Sequence, residues 1–172
     1  MWLAAISGTY RKSVCLKQYV SEMIEKRLLL DSRYLRMAKI WAENSYCKRR
    51  MVGALLVKDK MIISDGFNGT PQGFENICED EEGHTKSYVL HAEANAITKV
   101  AQSGNSSKDA TLYVTTSPCI ECAKLIIQSG IRRVVFSELY RLTDGVELLQ
   151  RAGVECVHLI DQKEGKFIEE VL

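Results

Sequence analysis

Residues 91–137 read HAEANAITKVAQSGNSSKDATLYVTTSPCIECAKLIIQSGIRRVVFS, and their patterning decides the fold class. His91 to Gln102 is spaced as a helix, and Ala110 to Thr115 reads as a strand. Cys119 to Ser129 suits a helix stopped before Gly130, and Arg133 to Ser137 a further strand. Downstream the alternation continues: Asp144 to Ala152 suits a helix with Gly153 after it, and Val154 to Ile160 a last strand. Strands alternating with helices imply parallel pairing in part of a sheet covered on both faces.

Upstream the pattern changes. Val52 to Val57 is a short apolar run of the kind buried on both faces, Lys58-Asp59-Lys60 a polar turn, and Met61 to Phe67 a second strand. These two strands should pair as an antiparallel hairpin. The expectation is therefore an α/β domain in three layers, α/β/α, around a mixed sheet of about five strands. Asn68 to Gly73 and the acidic loop Glu79 to Gly83 interrupt regular structure as far as about Tyr88, and long loops of this kind are often functional. Asp31 or Ser32 can cap a helix with apolar positions Leu35, Met37, Ala38, Ile40 and Trp41, running to about Ser45. Val14, Leu16, Tyr19, Val20, Met23 and Ile24 form one further helical stripe without evident chemistry. Residues 1–30 are read as an N-terminal extension and 31–172 as the domain proper.

The 172 residues suit one domain, and the 46% apolar, 26% charged composition is that of a soluble globular chain. A formal net charge of +1 supplies no basic field for a nucleic-acid partner, and no apolar run approaches a membrane span. Trp2 to Ile6 is apolar but too short, and lacks the positive flank of an export signal. Six unevenly spaced cysteines in such a chain argue for reduced thiols and metal over a disulfide framework, and for a cytoplasmic location.

The chemistry lies in His91-Ala92-Glu93 and, 28 positions after the histidine, Cys119-Ile120-Glu121-Cys122 preceded by Pro118. One imidazole and two thiols suit a zinc ion with its fourth position left for water, which zinc can acidify from a pKa of about 15.7 to roughly 7. The positive end of a helix favours thiolate at the cysteines. Glu93 is the free carboxylate, suited to general acid/base work. A lone Cys-x-x-Cys also occurs in redox pairs and zinc ribbons, but no second pair exists here to complete a ribbon.

These motifs, with Val52-Gly53-Ala54 and Gly66-Phe67-Asn68-Gly69-Thr70-Pro71-Gln72-Gly73, resemble the deoxycytidylate (dCMP) deaminases of the cytidine deaminase superfamily over about residues 32–160. Phe67 stands where the family more often has Tyr. The resemblance implies a cytidine-deaminase-like fold and hydrolysis of dCMP to dUMP and ammonia. It implies one catalytic Zn2+ held by His91, Cys119 and Cys122, with Glu93 as the proton carrier. Substrate contacts are expected from Asn68, Thr70, Arg49, Ala92, Ser117 and Tyr140. Within Lys48-Arg49-Arg50, Arg49 matches an arginine of bacterial members and has the fork that suits a 5′-phosphate; a solvated charge run is the alternative. The 22 residues between Asn68 and His91, and Ala123-Lys124 after the second cysteine, favour a nucleotide enzyme over a deaminase of tRNA adenosine. Free cytidine deamination and a zinc-stabilised binding module are the remaining alternatives.

Some members carry a second, structural zinc on cysteines placed like Cys47 and Cys78, for which His84 is a candidate third ligand here, although Val89 replaces a carboxylate. Members are often homo-oligomers, commonly hexamers, and many respond to dCTP and dTTP.

Overall fold

The computed structural model describes residues 3–162 and 166–172, with side chains at 18–160 and 168–172. The elements run α1 (Leu3–Ala42), β1 (Gly53–Lys58), β2 (Met61–Phe67), α2 (Ala92–Ala101), β3 (Thr111–Thr116) and α3 (Ile120–Gln128). They continue with β4 (Arg133–Glu138), α4 (Asp144–Arg151), β5 (Glu155–Gln162) and β6 (Lys166–Val171). The sheet order is β2-β1-β3-β4-β5-β6. Pairing is antiparallel for β1–β2 and β1–β3, parallel for β3–β4 and β4–β5, and antiparallel again for β5–β6. The sheet is mixed as expected, with six strands where five were read. β6 escapes a pattern reading because it is an edge strand whose Ile168 and Val171 both stay exposed beside Glu169 and Glu170.

The β1–β2 connection is a two-residue turn in which Asp59 (φ 50°) and Lys60 (φ 63°) are both left-handed. That is the turn whose twist suits a hairpin. The Tyr34 hydroxyl of α1 donates to the Lys60 carbonyl (2.8 Å) and ties this end to the helix.

Each face of the sheet is covered. On one face Ala54, Leu56, Leu112, Val114, Val134 and Phe136 pack against Ala92, Ala96 and Val100 of α2, Ala123 and Ile126 of α3, and Val146 and Leu149 of α4. On the other, Leu55, Val57, Tyr113, Val135, Val157 and Leu159 meet Tyr34, Leu35 and Ala38 of α1. The stripe of α1 against the sheet is thus Asp31, Tyr34, Leu35, Ala38 and Ala42, spaced at three or four. Met37, Ile40 and Trp41 face outward, and the Trp41 indole N–H donates to Asp65 (2.7 Å).

Nor does α1 begin at Asp31 or Ser32. It is continuous from Leu3, and the Ser32 hydroxyl donates backward to the Leu29 carbonyl (2.8 Å). Asp31 is buried and accepts two hydrogen bonds from the Arg133 guanidinium (3.0 and 2.8 Å) and one from Tyr113 (2.6 Å). Of the N-terminal stripe, Tyr19, Val20, Met23 and Ile24 are exposed, while the side chains of Val14 and Leu16 lie outside the described residues. No helix among the described residues is long and apolar enough to cross a membrane.

Candidate active site

Both motif pieces arrive from extended chain. His91 (φ −74°, ψ 156°) and Cys119 (φ −74°, ψ 171°) are the N-cap residues of α2 and α3, so each helix begins one position later than read from sequence. Their carbonyls accept the first helical bonds, from Asn95 (3.0 Å) and Ala123 (2.9 Å). Cys122 lies one turn into α3 and is buried. The two helix starts face each other, so the positive ends of both dipoles converge on one point.

There the His91 Nδ1 lies 3.4 Å from the Sγ of Cys119 and 3.4 Å from the Sγ of Cys122. The three donor atoms all fall within 4.8 Å of one another. A tetrahedral zinc ion with bonds of about 2.0–2.3 Å separates its donors by about 3.5 Å, so the group fits that ion. Protonation agrees. A hydrogen bond from Cys122, with another from His91, pulls the Cys119 thiol down to about 3 against the effect of burial. Cys122 is pushed up as the donor in that bond and by its burial. His91 is raised by its bond to Cys119, against burial. The proton shared by the two sulfurs is what a divalent cation would displace on binding them.

Glu93 stands two residues past His91 and is buried. Burial raises its carboxyl above the ordinary range, against the pull of a backbone hydrogen bond. It lines, with His91 and Cys119, a cavity of about 450 Å³, within the usual size for a small-molecule site.

Of the expected substrate contacts, Asn68, Arg49, Ala92, Ser117 and Tyr140 line the same cavity. Thr70 does not; its hydroxyl donates to the Glu75 carbonyl (3.0 Å). The Asn68 carboxamide oxygen accepts the Val52 N–H (2.7 Å), and its nitrogen donates to the Arg50 carbonyl (2.9 Å). The side chain thus clamps the segment entering β1, and its second N–H has no partner among the described residues. Ser117 Oγ accepts the Tyr140 N–H (2.7 Å), joining the ends of β3 and β4.

Arg49 is held by its neighbours. Glu79 accepts the backbone N–H groups of Lys48 (2.9 Å) and Arg49 (3.2 Å), and the Arg49 guanidinium donates to Thr85 (3.4 Å). Arg50 and Arg141 line the same cavity. Arg141 was not singled out from sequence, and its one local signal is that it follows Tyr140 in the loop after β4.

The second-zinc set is not assembled. Cys47 and Cys78 are joined as a disulfide, which also corrects the expectation of reduced thiols at these two positions. His84 is 70% exposed and turns toward Asp80 (3.9 Å) and Glu82 (3.5 Å). Among the described residues His91, Cys119 and Cys122 are the only group with metal-ligating geometry.

Residues 29–138 match the family described as the cytidine and deoxycytidylate deaminase zinc-binding region. The deoxycytidylate deaminase of Saccharomyces cerevisiae is 35% identical over 135 residues, 72% of this chain but 43% of the yeast protein. That of Enterobacteria phage T4 is 34% identical over 171 residues, covering 74% of this chain and 89% of the phage protein. The dCMP deaminase of cyanophage S-TIM5, solved with dCMP and dUMP, superposes with a TM-score of 0.71 at 45% identity, covering 73% of this chain and 93% of that one. With the motif pieces, the sheet order and the family match in agreement, this chain belongs to the zinc-binding cytidine and deoxycytidylate deaminase family.

Proposed function

We propose that the chain hydrolyses dCMP to dUMP and ammonia, with residues 31–172 as the catalytic unit. The carrying observation is the buried Glu93 beside the His91, Cys119 and Cys122 donors, in a cavity with three arginines on its wall. The phage relative solved with dCMP and dUMP supports the substrate class.

His91, Cys119 and Cys122 would hold zinc, which supplies Lewis acidity that makes water nucleophilic at neutral pH. Glu93 carries the proton. Its carboxylate takes one from the attacking water and passes it to ring N3 as the C4–O bond forms, then carries the remaining hydroxyl proton to the amino group, so that the C4–N bond breaks, ammonia leaves and C4 keeps a carbonyl. Burial raises the Glu93 carboxyl and so suits it to holding a proton between these two steps.

Arg49 and Arg141 are the phosphate ligands of this reading, with Arg50 beside them, because a guanidinium fork matches phosphate oxygens. The free N–H of Asn68 and the hydroxyl of Ser117 face the nucleoside. Ala92 and Tyr140 complete the wall. A substrate panel tests the reading. Zinc-loaded protein should release ammonia from dCMP far faster than from deoxycytidine, cytidine or an adenosine-bearing anticodon stem; zinc binding without ammonia release from dCMP would sink it.

The chain is further proposed to be a cytoplasmic homo-oligomer. Support comes from exposed Tyr46, Met51, Leu139 and Leu142, which flank cavity-lining positions in sequence. Light scattering at micromolar protein checks the mass. A hexamer, and a response to dCTP and dTTP, rest on the family resemblance, and rates measured with each nucleotide test the latter.

A further inference from the structure

Two glycines touch the backbone of the two motif pieces. Gly145 lies in the first turn of α4 and Gly66 near the end of β2; neither has a left-handed φ, so neither is required by its own conformation. A glycine inside a helix costs about 1 kcal/mol against alanine. What each glycine permits is close approach. A Cβ at Gly145 would overlap the Pro118 carbonyl oxygen and stand 2.7 Å from the carbonyl carbon of Cys119. At Gly66 it would overlap the Ala92 carbonyl oxygen and stand 2.6 Å from the Ala96 nitrogen. These partners are backbone and cannot rotate away.

The partners are also the atoms that orient the donors. The Cys119 carbonyl accepts the first helical bond of α3, whose opening turn carries both sulfurs. The Ala92 peptide lies between the imidazole of His91 and the carboxylate of Glu93. We propose that Gly145 and Gly66 are positioning residues of the metal centre: by backbone contact from opposite sides, they set the gap between the sulfur-bearing and imidazole-bearing helix starts. The 3.4 Å spacing of Nδ1 from each sulfur leaves little tolerance, since a shift of about 0.5 Å in either piece departs from zinc geometry.

The proposal rests on His91, Cys119 and Cys122 holding the metal, and the test separates the two. Zinc affinity is measured by competition with a chromophoric chelator, and geometry by the visible spectrum of the cobalt-substituted protein. The variants are Gly145→Ala and Gly66→Ala. Gly104→Ala, in open space, is the neutral control. Gly53→Ala is the packing control, because its Cβ would overlap the Ala38 carbonyl of α1, on the far face from the motifs. Expected are zinc affinity lower by about 10- to 100-fold and a changed cobalt spectrum for Gly145→Ala and Gly66→Ala. Gly53→Ala should lose stability in urea yet keep both metal readouts. Wild-type protein that binds no zinc overturns the ligand assignment, and this proposal with it. Zinc-binding wild type with unchanged affinity and spectrum in both motif-side variants overturns the proposal alone, as does an equal loss in Gly53→Ala. If Gly145→Ala does not fold, Gly66→Ala carries the test. If neither folds, the proposal falls, because the contacts then serve the whole fold rather than the centre.

Discussion

At the scale of the residue, Glu93 carries the sharpest expectation. Glu93→Gln keeps the shape and the buried position but removes the proton carrier. Ammonia release from dCMP should fall by about 10²- to 10⁴-fold, while zinc content by atomic absorption stays at the wild-type value. The arginines separate by substrate. Arg49→Ala or Arg141→Ala should lower kcat/KM for dCMP by about 10- to 100-fold through loss of a charge-assisted hydrogen bond, and leave the low rate on deoxycytidine unchanged. Equal losses on both substrates would assign these side chains to the pocket's shape. The metal donors and Glu93 were legible in sequence because each sits in a short, chemically distinctive motif. Arg141 was not, because one arginine in a loop has no local signature; only the return of the chain after β4 brings it to the cavity that Arg49 also lines. Thr70 erred the other way: its hydroxyl turns to the Glu75 carbonyl, a choice made by the folding of the loop.

Among the elements, α1 shows how a cap reading fails. An acidic residue before an apolar run is a common helix start. Here Asp31 is interior to a longer helix and is drawn inward by Arg133 of β4, and that pair, with Tyr113 of β3, docks the helix on the sheet. Asp31→Ala would leave the Arg133 guanidinium, 11% exposed, without its bidentate partner. A loss of about 3–5 kcal/mol in urea unfolding is expected. The loop between β2 and α2 is likewise a tertiary product. Bridges Gly69–Leu90 and Glu79–Thr85 and the Cys47–Cys78 bond fold it back on the segment before β1, which is why Glu79 reaches the Arg49 backbone. Composition marked it as irregular, with no indication of where it returns.

For the whole molecule, the proposed boundary at residue 30 cuts through a helix whose preceding residues also touch the sheet. Arg27 pairs with Glu155 and Glu169 (2.9 Å for the latter), and Leu28 and Leu30 pack on the α1-side core. Removing residues 1–22 should therefore leave ammonia release unchanged. Removing 1–30 should lower the urea midpoint, since it takes away both contacts. Unequal effects of the opposite order would place the working unit further upstream. The α/β class, the hairpin, the starts of α2, α3 and α4 to within one residue, and the donor triad were determined by the sequence itself, because they rest on local periodicity, turn residues and side-chain chemistry. The sixth strand, the inward turn of Asp31, the Cys47–Cys78 pairing and the approach of Gly66 and Gly145 to the motif backbones were decided only by the tertiary structure. Each depends on which distant segment packs against the residue, and one-dimensional spacing carries no record of that neighbour.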